Sequence, residues 1–154
     1  MKEFVEEFYS GRAQANMTAV VTKYTEWPDF ATGDSAQIAA SQDIRLVTEN
    51  GDEATFEVRF KVIGEERLAK VEVGEIEVVQ TYRLRRRRGQ WRILEPIYFP
   101  CISVTGELTR LRSVIENASN RIAKNDFTDA APREHFETLI SNARASIATL
   151  EPYR

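Results

Sequence analysis

The sequence predicts an α+β fold, in which N-terminal helices pack on a strongly curved, cone-like antiparallel sheet and a C-terminal antiparallel helical hairpin follows. Apolar residues recur at helical spacing before residue 25 and after residue 104, whereas residues 43–101 alternate with the period of two that is typical of strands. A chain of 154 residues suits about one folding unit. We therefore predict an α+β domain over residues 1–104 and a hairpin extension over residues 105–154, packed on that domain.

The N-terminal segment predicts two helices. Their apolar stripes consist of Phe4, Val5, Phe8 and Tyr9 within residues 3–12, and of Met17, Val20, Val21 and Tyr24 in the second helix. Asn16 is the expected N-cap of the second helix, and Pro28 should end it near Thr25 or Glu26. Asp34 and Gln37 predict a short helical turn that runs through Ala40.

The first strand pair is expected at Asp43–Glu49 and Glu53–Ile63. A three-residue loop, Asn50–Asp52, pairs Leu46 with Phe56, whereas a two-residue Asn-Gly turn puts them on opposite faces. We therefore predict the three-residue loop, which also pairs Ile44 with Val58. The resulting inner face carries Phe56, Val58, Phe60 and Val62.

Glycines punctuate the next segment. Gly64–Glu66 is expected to break the strand, and a weaker strand should run over Leu68–Val73. Gly74 should mark a bulge or bend that curls the sheet.

Residues 76–101 predict a long hairpin that turns at Arg88 and Gly89. This register pairs Leu84 with Ile93, Val78 with Phe99 and Ile76 with Cys101, with Trp91 on the same apolar face. The same register puts three polar residues on that face. Tyr82 lies directly opposite Glu95, and Gln80 lies two positions before Tyr82 on the same strand.

Two C-terminal helices are predicted by apolar residues that recur every three or four positions. The first stripe is Leu108, Leu111, Ile115, Ala118 and Ile122, and the second is Phe136, Ile140, Ala143, Ile147 and Leu150. Thr105 is the expected cap of the first helix, and Pro132 suits the first turn of the second. The hairpin should cover the sheet, and a dimerisation device is the alternative.

The order of these elements resembles the nuclear transport factor 2-like superfamily over residues 3–102. The resemblance depends on FVEEFYSG near the start, EATFEVRF in the middle, and QTYRLRRRRGQWRILEP in the last hairpin. It implies a cone-shaped α+β fold shared by isomerases, dehydratases and many binding domains. The helical extension lies outside the usual family pattern, and no catalytic residue transfers by motif.

Tyr82 and Glu95 are the best catalytic candidates. A carboxylate and a phenol in an apolar cavity would supply a general base and an oxyanion donor. Gln80 would line the same cavity, with Tyr24 and Trp27 at its mouth. The structural alternative is a hydrogen bond from Tyr82 to Glu95 across the strands.

Successive arginines of the run Arg85–Arg88 point to opposite faces of the strand. Arg86 falls opposite Trp91 in the predicted register and should stack on its indole. Arg83, Arg85, Arg87 and Arg92 would form a basic stripe on the outer face. Such a stripe would dock an acidic protein or an anionic ligand, or would consist simply of solvated strand charges.

Composition excludes several classes of function. The net charge of −3 argues against nucleic acid and anionic membranes, and no apolar run reaches the roughly 20 residues that span a bilayer. The single cysteine, Cys101, is expected to be a buried hydrophobe, and the single histidine, His135, a surface residue. No cofactor motif or metal-ligand spacing is present. The default location is the cytoplasm, or an extracytoplasmic one if a signal peptide was removed.

The predicted function is a non-catalytic ligand-binding or protein-interaction module that self-associates as a homodimer. Its ligand would be a small apolar or anionic molecule. The alternative is a small-molecule isomerase, cyclase or hydrolase that uses Glu95 and Tyr82.

Overall fold

A computed structural model describes residues 3, 17–27, 35–96, 101–128 and 131–154. Its elements are α1 (Met17–Tyr24), β1 (Ser35–Asn50), β2 (Glu53–Arg67), β3 (Lys70–Arg87), β4 (Gln90–Glu95), β5 (Cys101–Ser103), α2 (Val104–Lys124), α3 (Arg133–Leu150) and a 3₁₀ turn (Glu151–Tyr153). Most of the helix predicted for residues 3–12, the cap at Asn16 and the pairing of Val78 with Phe99 lie outside the described residues.

The sheet is strongly curled and mixed, with the strand order β4-β3-β2-β1-β5. The first four strands are antiparallel neighbours, but β5 runs parallel to β1 and pairs Cys101 with Gln37. The expectation of a purely antiparallel sheet is therefore wrong, and so is the pairing of Ile76 with Cys101. Ile76 lies opposite Val62 instead, because β4 ends at Glu95 and the chain reaches the far side of the sheet by Cys101.

Strands β1 and β2 are longer than the sequence patterns indicated. The helical turn predicted through Ala40 is strand, because Ile38 pairs with Gly64 near the end of β2. The break expected at Gly64–Glu66 is also absent, since Glu65 is paired on both sides, with Gln37 and with Glu72. Pairing with two neighbours overrides the local preference of these residues.

The register predicted for the first hairpin is confirmed, with Ile44 opposite Val58 and Leu46 opposite Phe56. The turn itself is shorter than predicted, because Asn50 pairs with Glu53 around Gly51 and Asp52. A bulge at Val47 accommodates the extra residue.

A second bulge lies between β2 and β3, where Ile63 opposes Gly74 and Glu75, so the irregularity predicted at Gly74 is a bulge. Near it the sheet buries apolar residues on both faces, because successive side chains alternate: Val62 belongs to an inner cluster and Ile63 to an outer cluster. The inner cluster contains Val21, Trp27, Ala39, Val58, Phe60, Val62, Tyr82, Leu84, Ile93 and Cys101. The outer cluster contains Ile38, Ile63, Ala69, Ile102, Val104, Leu108, Leu111, Ala143 and Leu150.

Helix α1 is attached to the edge of the sheet through its C-terminal end. The hydroxyl of Thr25 donates to the carbonyl of Val21 at 2.8 Å, and the backbone N–H of Glu26 donates to the carbonyl of Ile93 at 3.0 Å. The helix ends at Tyr24, next to the predicted end at Thr25 or Glu26. This places Val21 and Trp27 against the inner cluster.

Helix α2 begins at Val104 rather than after a cap at Thr105. The hydroxyl of Ser103 accepts from the backbone N–H of Gly106 at 3.0 Å, so Ser103 is the N-cap. Helices α2 and α3 pack against each other, and both contribute to the outer cluster. None of the helices in the described part of the chain is long and apolar enough to cross a membrane.

Candidate functional site

Tyr82 and Glu95, the predicted catalytic pair, lie on opposite faces of the sheet. Leu84 pairs with Ile93 as predicted, but Arg83 pairs with Glu95, so a bulge at Leu94 reverses the side on which Glu95 projects. Glu95 Oε2 lies 3.1 Å from Arg83 Nη1, and both side chains are more than half exposed. Tyr82 is 2 % exposed. The predicted pairing of Tyr82 with Glu95 is therefore wrong, and a base at Glu95 would have no phenol opposite it.

The other predicted ligand-lining residues surround a packed interior. Trp27 is buried with Tyr82 in the inner cluster, and Tyr24 packs against it. The neighbouring Val58 and Phe60 are 0 % exposed. Gln80 lies opposite Val58, is partly buried, and its amide donates to the carbonyl of Thr81 at 3.1 Å. Apolar side chains are therefore buried at these positions of the inner face.

The arginines of β3 and β4 have partners close by. Arg86 lies 4.7 Å from the centre of the Trp91 ring, which confirms the predicted stacking. Arg85 and Arg87 each lie 2.9 Å from a carboxylate, that of Glu53 and that of Glu26, respectively.

The guanidinium of Arg92 contacts the C-terminal end of helix α1. It donates to the carbonyl of Thr22 at 2.7 Å and to that of Lys23, where a cation stabilises the end of α1. With Arg83 paired to Glu95, the four arginines of the predicted basic stripe all have local acceptors. Three of these arginines therefore face carboxylates, and Arg92 faces backbone carbonyls.

Two accessible depressions that described residues line lie on the ribbon formed by β2 and β3. One, of about 410 Å³, surrounds the turn between these strands and is lined by Glu65, Arg67, Leu68, Lys70, Glu72 and Asn142. A second, of about 260 Å³, is lined by Gln37, Val62, Gly64, Glu65, Glu72, Gly74, Glu75 and Ile76. They share Glu65 and Glu72, so they meet along one side of the ribbon.

The same ribbon exposes one edge of β3. Strand β4 pairs only with Arg83–Arg87, so Lys70–Tyr82 has β2 on one side and no described strand on the other. Every residue from Glu72 to Glu77 is exposed, although successive side chains point to opposite faces. Val73 is 54 % exposed, Ile76 52 % and Val79 48 %. Exposure on both faces is what an open strand edge produces.

This open edge is acidic. Glu72, Glu75 and Glu77 are interspersed with valine and isoleucine. Glu72 lies 3.0 Å from Lys70, and Glu77 lies 3.7 Å from Arg59. The sequence pattern predicted a break at Gly64–Glu66 and a weak strand over Leu68–Val73, so this edge was not predicted. The alternation of glutamate with valine and isoleucine over residues 71–79 is the pattern that indicates it.

The turn at the end of the ribbon is held by the C-terminal helices. Leu68 and Ala69 have φ angles of 51° and 62°, a left-handed conformation that costs about 1–2 kcal/mol for each non-glycine residue. The buried hydroxyl of Ser146 accepts from the N–H of Val71 at 2.8 Å and donates to the carbonyl of Ala69 at 2.9 Å. The carboxylate of Glu66 accepts from the N–H of Ala69. These bonds fix the backbone of the turn.

Arg110 links this turn to α2 through two buried carboxylates. Its guanidinium lies 2.7 Å from Glu66 and 2.8 Å from Glu107. Burial raises the pKa of Glu107 despite the hydrogen bonds from Arg110. The two carboxylates raise the pKa of Arg110 and outweigh its desolvation. Arg110 thus bridges the two carboxylates and joins the sheet to the helix.

Within the described ranges, no group of histidine, cysteine, aspartate and glutamate side chains could hold a metal ion. Comparison with protein-family models, with curated proteins and with solved structures finds no match.

Proposed function

We propose that this chain is a non-catalytic binding or interaction module of the nuclear transport factor 2-like type, with α2 and α3 as an antiparallel hairpin extension. The observation that supports it best is the Arg83–Glu95 pair. It takes the one candidate carboxylate of the last hairpin away from the face that carries Tyr82. An acid–base mechanism across β3 and β4 would have to work without that group.

The open end of the β2–β3 ribbon is the part of the sheet best placed to bind. Val58, Phe60 and Tyr82 of the inner face are buried, whereas the 260 Å³ depression next to Ile76 is accessible and combines an apolar wall with carboxylates. Binding sites combine apolar area with a few polar groups in this way. The proposed module would also self-associate as a homodimer and bind a small apolar or anionic ligand.

A selection of short random peptides displayed on phage tests this function. We expect enriched peptides whose addition shifts the amide resonances of residues 64–79, with the Glu95→Gln variant binding them equally well. Peptides or small molecules that shift the resonances around Tyr82 and lose affinity in Glu95→Gln would favour the enzyme instead. Absence of any enriched peptide, with a monomer at every concentration in sedimentation, would refute a binding role for the ribbon.

A further inference from the structure

We propose that the open edge of β3, Glu72–Val79, accepts an additional strand from a basic, extended segment of a partner protein. This inference depends on the proposed function as a binding module and specifies the partner's chemistry. It starts from the backbone, because an edge strand presents N–H and C=O groups that no neighbour within the sheet satisfies. An extended peptide satisfies them with main-chain hydrogen bonds, and its side chains supply specificity.

The edge is long enough for such pairing. Lys70–Tyr82 continues past the last residue paired with β4 and remains strand up to the turn at Leu68. Val73, Ile76 and Val79 lie along it, each about half exposed, and a neighbouring strand would cover part of their apolar surface. The bulge at Gly74 interrupts the ladder, so the pairing should extend mainly over residues 75–79.

Charge argues against a second copy of β3 as the occupant. An antiparallel self-pairing centred on Ile76 puts Glu75 opposite Glu77 twice. Moving the centre by one residue in either direction puts Glu75 opposite Glu75 or Glu77 opposite Glu77. Like charges that face each other across strands are destabilising. The arginines of β3 cannot relieve this repulsion, since β4 already occupies the edge at Arg83–Arg87.

The same charges favour a basic strand. Glu75 and Glu77 are exposed at the edge, and Glu72, three residues before Glu75 on the same strand, is exposed as well. Glu65, Glu72 and Glu75 also line the 260 Å³ depression next to Ile76, which has room for a long side chain. A strand that alternates lysine or arginine with valine or threonine would place its cations against Glu75 and Glu77 on one face and its apolar residues beside Ile76 on the other.

The experiment uses synthetic peptides that alternate lysine or arginine with valine and threonine, added to the full chain and followed by amide chemical shifts. We expect shifts concentrated on residues 72–82. Two further peptides carry backbone N-methyl groups at the odd or at the even positions. Because alternate N–H groups of a strand point to opposite sides, only one of the two methylated peptides should lose binding. Equal binding by both would show attraction between charges without strand pairing and would overturn the proposal.

A second experiment reverses the charge of two residues at the edge and measures binding of the same peptides. The double variant Glu72→Lys and Glu75→Lys should bind the basic peptide about fivefold or more weakly and gain affinity for the matching peptide built with glutamate. Glu116→Lys with Glu134→Lys changes the net charge equally at exposed positions on α2 and α3, and should bind the basic peptide with little change.

Three outcomes would contradict the inference. Tighter binding of an acidic or neutral peptide to the same amides would refute the basic partner but keep the binding function. Concentration-dependent shifts of residues 72–82 without any peptide, together with a dimer in sedimentation, would identify a second copy as the occupant. Absence of shifts at the edge with every peptide, while selected peptides shift other amides of the ribbon, would refute strand addition alone.

Discussion

A Cβ atom on Gly64 would lie 2.6 Å from the carbonyl oxygen of Glu72, whereas a Cβ on Gly74 would have no atom within 4 Å. Both glycines flank the same bulge between β2 and β3. The two backbones therefore approach most closely at Gly64, where only a residue without a side chain fits. Gly74 has no such constraint, although it lies on the bulged strand.

Alanine substitutions at the two glycines should have different effects on stability, because only the methyl group at position 64 meets the backbone of β3. Gly64→Ala should lower the free energy of unfolding by about 1–3 kcal/mol, because backbone has to move to admit the methyl group. Gly74→Ala should leave it unchanged or raise it by about 0.5–1 kcal/mol, because alanine restricts the unfolded chain. Urea denaturation of both variants measures this, and equal effects at the two positions would contradict the close approach.

Ser146→Ala should destabilise the chain by about 1–3 kcal/mol. The variant leaves the N–H of Val71 and the carbonyl of Ala69 without the hydroxyl that bonds to both in a buried position. Ser141→Ala, at an exposed position of the same helix, is the matched control and should be nearly neutral. Hydrogen exchange should also show faster exchange of the Val71 amide in Ser146→Ala, and an unchanged rate would argue against the bond.

The pH dependence of stability should reveal Glu107. Burial raises its pKa above the ordinary value of 4.5, so between 4.5 and that raised pKa the folded chain holds a proton that the unfolded chain has lost. The contribution of Glu107 to the free energy of unfolding therefore falls as pH rises through this window. Glu107→Gln does not titrate, so the stability of wild type minus that of the variant should decrease with increasing pH.

Urea denaturation between about pH 4 and pH 8 measures that difference, in which acids remote from Glu107 are common to both chains. Glu116→Gln removes one exposed carboxylate from the same helix and serves as the control. A difference that rises with pH for Glu107→Gln, or that matches the control, would contradict a buried carboxyl with a raised pKa.

Cys101 should be inert in the folded chain. It is 3 % exposed, and burial raises the pKa of its thiol to about 12, so almost no thiolate forms near neutral pH. We expect iodoacetamide at pH 8 to leave the native protein unmodified and to alkylate Cys101 once urea has unfolded the chain. Alkylation at the same rate in both states would show that the start of β5 is not packed against β1.

Local patterns in the sequence correctly predicted an α+β chain with a strongly curved sheet and two registers, because these depend on short-range alternation. The pairs Leu46–Phe56 and Leu84–Ile93 follow from keeping apolar side chains on one face, and the Arg86–Trp91 contact follows from the second pair. Tyr82 was likewise expected to face inward, and it lies in the inner cluster, where Trp27, expected at the mouth of a cavity, is also buried.

The errors in the predicted site came from bulges, which alternation does not reveal. A single extra residue at Leu94 moves Glu95 to the other face and separates it from Tyr82. The parallel pairing of Cys101 with Gln37 joins residues far apart in the chain, and no local pattern predicts it. The open edge of β3 was missed for a similar reason, since it depends on how short β4 is compared with β3.

The contact of Ser146 with the β2–β3 turn also affects the chain while it is being made. Ser146 follows Val71 by 75 positions, so a ribosome that adds about 5–20 residues per second synthesises it roughly 4–15 s later. For that interval the amide of Val71 and the carbonyl of Ala69 have only water or chaperones as partners. The left-handed turn at Leu68 and Ala69 should therefore acquire its final rigidity late, when the last helix emerges from the exit tunnel.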